Sequence, residues 1–141
     1  MEESEEHVED QLDELRKKFI VKEEDHKKIL ENVLRKIIKY AYITEKGTVG
    51  LKISSLNQTE RIILVLLARY IGGLLQESIP KEVTINEIME YTSIDKKVIA
   101  ARVNELVKRG YVKRLARGKY IVNGIFAAKN MLEKIEKGEK G

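Results

Sequence analysis

At 141 residues the chain is long enough to bury a core without covalent staples, and it fits one domain or one domain with an appendage. It has no cysteine, which excludes disulfides, thiolate zinc sites and cysteine nucleophiles together. No apolar run reaches the ~18 residues of a membrane span, and the acidic start MEESEEHVED is the opposite of a secretory signal. A globular cytoplasmic protein is therefore expected, in keeping with 43% hydrophobic residues.

Charge is unevenly placed. The net +4 is the sum of residues 1–53, with 11 Lys+Arg against 13 Asp+Glu, and residues 54–141, with 16 against 10. Lysine and glutamate dominate a chain that is 35% charged, a balance enriched in hyperthermophile proteins and shared by any well-solvated helical surface.

Residues 2–20 are helix-permissive. Val8, Leu12, Leu15 and Phe19 recur at spacings of four, three and four, a single thin apolar stripe. The first six residues are expected to fray. The acidic run Glu2–Glu14 reads as solvent-facing, with competition for a basic surface elsewhere in the chain as the alternative. Residues 24–40 predict a stronger helix, with Ile29, Leu30, Val33, Leu34, Ile37 and Ile38 on a wide face. Two β-rich runs around Glu45-Lys46-Gly47 then predict a hairpin.

Asn57 and Glu60 are spaced as a capping box ahead of RIILVLLARYIGGLL, a helix apolar almost all round and so expected to be buried. Gly72-Gly73 reads as a close packing contact or a helix terminus, and Pro80 marks a loop. Thr84 and Glu87 form a second capping box, opening a short helix through Tyr91. After the turn Thr92-Ser93-Ile94, Asp95 caps a helix that runs to Arg109, and Gly110 stands where a left-handed C-cap is wanted. Two helices joined by a tight turn are a helix-turn-helix arrangement.

The second of these helices sorts its residues by face. Ile99, Val103 and Leu106 share one side, and Lys97, Ala101, Asn104 and Lys108 the other, with Lys96 in the first turn and Ala100 adjacent. A helix entering the major groove needs charge for phosphates, an amide for base edges and small residues where backbones come close. Next, Tyr111 and Leu115 alternate with Lys113, and Tyr120 and Val122 with Ile121, about an Arg117-Gly118 turn. The result is a hairpin with Arg114, Arg117 and Lys119 at a basic tip. Between Ser93 and Val122 nine basic residues face two acidic ones, Asp95 and Glu105, a footprint for a polyanion. Asn123 can cap a last helix, 124 to about 137, with Ile125, Ala128, Met131, Leu132 and Ile135 as its stripe and a disordered KGEKG tail. That stripe is expected to pair across a two-fold axis, the alternative being the chain's own N-terminal region.

The stretch TINEIMEYTSIDKKVIAARVNELVKRGYVKRLARGKYIV, residues 84–122, resembles the winged-helix domain of small prokaryotic, especially archaeal, transcription regulators. The resemblance lies in the turn ending Ile94-Asp95, then Leu106, Val107-Lys108-Arg109, Gly110 and Tyr111-Val112, then the wing. It extends back to 57 if the 57–75 helix is the domain's first. It implies a mostly α fold with a small β-wing, a winged helix-turn-helix with an extra N-terminal helix and hairpin and a C-terminal helix. Residues 1–53 would be an extension with a possible dimerisation role, 55–122 the DNA-binding domain, and 123–141 a dimerising helix and tail. It implies a double-stranded DNA-binding regulator, a homodimer on palindromic sites, with recognition helix 95–109, wing 112–121, and Lys96, Lys97, Ala101, Asn104, Lys108, Arg114, Arg117 and Lys119 at the DNA. The chain departs from the family at Ala100-Ala101, where polar or basic residues are common, which favours phosphate and shape recognition over base readout. A nucleoid-type DNA binder of low specificity and a protein–protein winged-helix module are the competing readings.

An enzyme is not expected, and neither is a cofactor. His7 and His26 lack partners at ligand spacing, an adventitious metal at His7 with Glu3 and Glu6 aside. There is no Gly-rich phosphate loop, and Ser54 and Ser55 have no histidine in context.

Overall fold

The computed structural model describes residues 2–140, with the side chains of residues 8–138. These form six helices and five short strands: α1 (Glu2–Phe19), α2 (Glu23–Ile37), β1 (Ala41–Ile43), β2 (Val49–Leu51), α3 (Gln58–Leu75), β3 (Val83–Thr84), α4 (Ile85–Thr92), α5 (Lys96–Lys108), β4 (Val112–Ala116), β5 (Lys119–Val122) and α6 (Ile125–Lys140). The fold is mostly helical with two small antiparallel sheets, β1-β2 and β3-β5-β4.

The axis is α3. Its start is fixed by the expected box: Asn57 Oδ1 accepts from the Glu60 N–H at 2.8 Å, and Glu60 Oε1 accepts from the Asn57 N–H at 3.0 Å. Residues 62–69 are all buried, because α2, the β1-β2 hairpin, α4, α5, β5 and α6 surround the helix. Gly72 and Gly73 lie inside it as packing contacts. A Cβ on Gly73 would stand 2.4 Å from Lys81 Cγ and 2.8 Å from the Ile79 carbonyl oxygen, so the loop carrying Pro80 packs directly on the helix backbone.

The apolar run of α3 conceals one charged core residue. Arg69 is only 4% exposed. Its guanidinium donates to Glu87 Oε2 at 2.7 Å through both terminal nitrogens and to the Pro80 carbonyl through Nε at 3.1 Å. Glu87 also closes the Thr84 capping box, so one carboxylate stabilises the start of α4 and neutralises α3. Gly47, in the β1-β2 turn with φ +95°, lies against the same guanidinium, where a Cβ would be 3.1 Å from Nε.

The last helix corrects three expectations. Ile125, Ala128, Met131, Leu132 and Ile135 are buried within the chain, against α2 and α3. α6 runs alongside α2 in the same direction: His26 meets Phe126 edge-on near their starts and Lys36 pairs with Glu136 at 3.4 Å near their ends. The stripe offered to a second copy is thus covered within the chain by α2 and α3. The helix also continues through the KGEKG segment to Lys140, with Gly138 passing beside Glu60. Asn123 does not cap it. Its amide donates to the Gly110 carbonyl at 2.9 Å, closing the end of β5 onto the end of α5. At the other end of the chain, α1 spans Glu2–Phe19, and its stripe is uncovered.

Candidate nucleic-acid interface

α4 and α5 meet through a three-residue turn whose geometry follows from its residues. Ser93 is the C-cap of α4 in the left-handed region, φ 59°, and its N–H donates to the Met89 carbonyl at 2.8 Å. Thr92 is buried, its hydroxyl donating to the Ile88 carbonyl at 2.7 Å, and Arg61 from α3 donates to the Thr92 carbonyl. Ile94 drops into the core and Asp95 caps α5 by accepting from the Lys97 N–H at 3.3 Å. α5 ends as expected. Gly110 (φ +82°) donates to Val107 O and Tyr111 to Leu106 O, both at 3.0 Å, a Schellman pair.

With Ile99, Val103 and Leu106 buried, each contributing roughly 1.5–3 kcal/mol, the rotation of α5 is fixed. Lys97, Ala101, Asn104 and Lys108 then share an exposed face, and Lys96 is exposed at the first turn. Beyond Gly110, β4 and β5 pair antiparallel from Val112↔Val122 to Ala116↔Lys119 about Arg117-Gly118 (φ +72° at the glycine). The register slips between Arg114 and Ala116, so Leu115 bulges out and is exposed. Val112, rather than Tyr111 and Leu115, is the residue this strand buries. β3, absent from the sequence expectation, pairs with β5 through Val83↔Tyr120 and Thr84↔Lys119. The hairpin tip is tied to α4 as well: the Ile85 N–H donates to the Gly118 carbonyl at 2.9 Å.

This construction brings three of the named cations together. Lys96, Arg114 and Arg117 line one open groove of about 480 Å³ with Thr84, Asn86, Gly118 and Tyr120. Thr84 and Asn86 were not anticipated as groove residues; their position in the first turn of α4 is the signal. Lys97, Asn104 and Lys108 continue along α5, and Lys119 is exposed on β5. Among the described residues, Lys96, Lys97, Lys108, Arg114, Arg117 and Lys119 form no ion pair. The nine basic residues do not form one surface, however. Arg102 pairs with Glu105 at 3.6 Å, and Arg102 and Arg109 line a different groove with Glu60 and Lys134. The described acidic residues of α1 reach none of these cations, and Asp13 is paired with Arg16.

His26 packs against Phe126, ring centroids 6.4 Å apart, and His7 lies outside the described side chains. Among the described residues no three His, Cys, Asp or Glu side chains are grouped to hold a metal ion, and no helix is long and apolar enough to cross a membrane. No protein-family model, no curated protein and no solved structure matches the chain.

Proposed function

We propose that the chain is a winged-helix transcription regulator that binds double-stranded DNA in the cytoplasm. In this reading residues 55–122 form the DNA-binding unit, α5 is the recognition helix and the β4-β5 hairpin is a basic wing. The supporting observation is the meeting of Lys96 with Arg114 and Arg117 around one groove, continued by Lys97 and Lys108 along an exposed helix face. Unpaired cations on two rigid elements suit a duplex, which presents phosphates on both walls of its grooves. Asn104 is the amide on that face, able to make a bidentate pair with adenine.

A second reading, an architectural DNA binder of low specificity, rests on Ala101 and Ala100. They give the face a smooth surface with few groups to read bases. A mobility-shift titration tests the proposal. Lys97→Glu with Arg117→Glu abolishes the shift of duplex DNA while the fold is kept; undiminished binding by the folded double variant rejects the interface. Competition with unrelated duplex then separates the regulator from the architectural protein. Binding of a protein partner with little salt dependence, and no DNA shift, would favour the interaction-module alternative.

A further inference from the structure

The chain leaves one regular apolar face uncovered. Val8, Leu12, Leu15 and Phe19 on α1 are 52%, 59%, 60% and 87% exposed, and all the other side chains from residue 9 to residue 28 are exposed too. Their four-three-four spacing is the d-a-d-a seam of a two-helix coil. Charge along the same helix is segregated. Glu9, Asp10, Asp13 and Glu14 come first, and Arg16, Lys17 and Lys18 follow.

We propose that α1 pairs antiparallel with α1 of a second copy of this chain. The alignment that fills the seam sets Leu12 against Leu15 of the second copy and Val8 against Phe19 of the second copy. It places Glu9 beside Arg16 of the second copy, both at e positions, where charge sets the orientation of a coiled coil. Each acidic half then lies along a basic half. A parallel pair would instead align the four carboxylates of one copy with the same four of the other, so charge selects the antiparallel form. The Asp13–Arg16 contact within the helix is 3.9 Å long and solvent-exposed, too weak to withhold Arg16. The face is used identically by both copies, as a two-fold interface requires. It is also free for the purpose, since the stripe of α6 is already spent on α2 and α3.

Sedimentation equilibrium on the full chain tests the pairing. The expected mass is twice the 16.3 kDa of one chain. Leu12→Asp with Leu15→Asp, both at exposed positions, weakens the dimer at least about a hundredfold with no change in melting of the folded body. Orientation is read by cross-linking, because the chain has no cysteine of its own. Leu12→Cys mixed with Leu15→Cys gives a disulfide-linked pair on oxidation, and neither variant does so alone. A wild-type chain that stays at 16.3 kDa at every concentration overturns the proposal. So does a dimer that survives the double aspartate variant, which would point to the exposed Ile38, Tyr42 and Leu75 patch. Self-linking of Leu12→Cys overturns the antiparallel arrangement. None of these results bears on DNA binding, which uses different residues.

Discussion

Replacing Arg114 and Arg117 with alanine tests whether the hairpin tip contributes to the proposed DNA binding. Six exposed cations, Lys96, Lys97, Lys108, Arg114, Arg117 and Lys119, are free of ion pairs among the described residues. If each neutralises one phosphate, the logarithm of affinity falls with the logarithm of salt at about −0.9 per contact, or about −5 for each chain bound. Raising salt from about 50 to about 200 mM then weakens binding by about a thousandfold. The double alanine variant loses two contacts, so its slope is shallower by about 2. Stability is not expected to change by more than about 0.5 kcal/mol, because both side chains are exposed and unpaired. Fluorescence anisotropy with a labelled duplex at several potassium chloride concentrations gives both slopes, and circular dichroism checks the fold. Equal slopes for the two proteins would refute the placement of the hairpin on phosphate. A wild-type slope near zero would refute the electrostatic argument altogether.

Two further predictions concern the core. Glu87→Ala leaves the Arg69 guanidinium buried without its carboxylate and opens the α4 cap, so urea denaturation should show a loss of about 3 kcal/mol, the lower end for a broken buried pair because Glu87 is 30% exposed; a loss below about 1 kcal/mol would contradict the role given to the pair. Burial raises the Tyr70 phenol above its ordinary 10.0; burial is also the largest influence on Tyr91, where Arg69 lowers the value while Glu87 and Glu90 add to the rise. Both phenols ionise near 10.0 in the unfolded chain, so their stabilising contribution is complete below that pH and is lost as pH rises through the folded values. The melting temperature should therefore fall more steeply above pH 10 in the wild type than in the Tyr70→Phe, Tyr91→Phe variant, and parallel curves would disprove the assignment.

What could be read from the sequence was local. The boxes at Asn57/Glu60 and Thr84/Glu87, the Asp95 cap, the left-handed Gly110 and the Arg117-Gly118 turn are each set by residues within a few positions of one another. The face of α5 followed from the 3.6-residue period alone. Long-range pairings were not legible. β3 is two residues long and exists only because β5 returns beside it. Arg69 stands in a run that periodicity marks as core, and its partner Glu87 lies in another helix. In β4 the pairing of Val112 with Val122 sets which face of the strand is inward, so Lys113 and Leu115 point outward, a choice that alternation within the strand alone does not make. For α6, the stripe was read correctly and its partner was not, since a helical period says that a face is buried but not against what. The convergence of Lys96 with Arg114 and Arg117 belongs to the same class, because sequence supplies the charges and the sheet supplies their proximity.

The hydrogen bond from Ile85 to the Gly118 carbonyl has a mechanical meaning. A two-residue hairpin turn held only by its own strands would swing as a flap, and any anion bridging it to α5 would have to arrest that motion. Here the tip is latched to the first residue of α4, and α4 is itself clamped to α3 through Arg69 and Arg61. The backbone of the hairpin tip is accordingly held at a set place beside α4, like one arm of a fixed caliper. Under the proposed reading, less order remains to be imposed when a duplex binds.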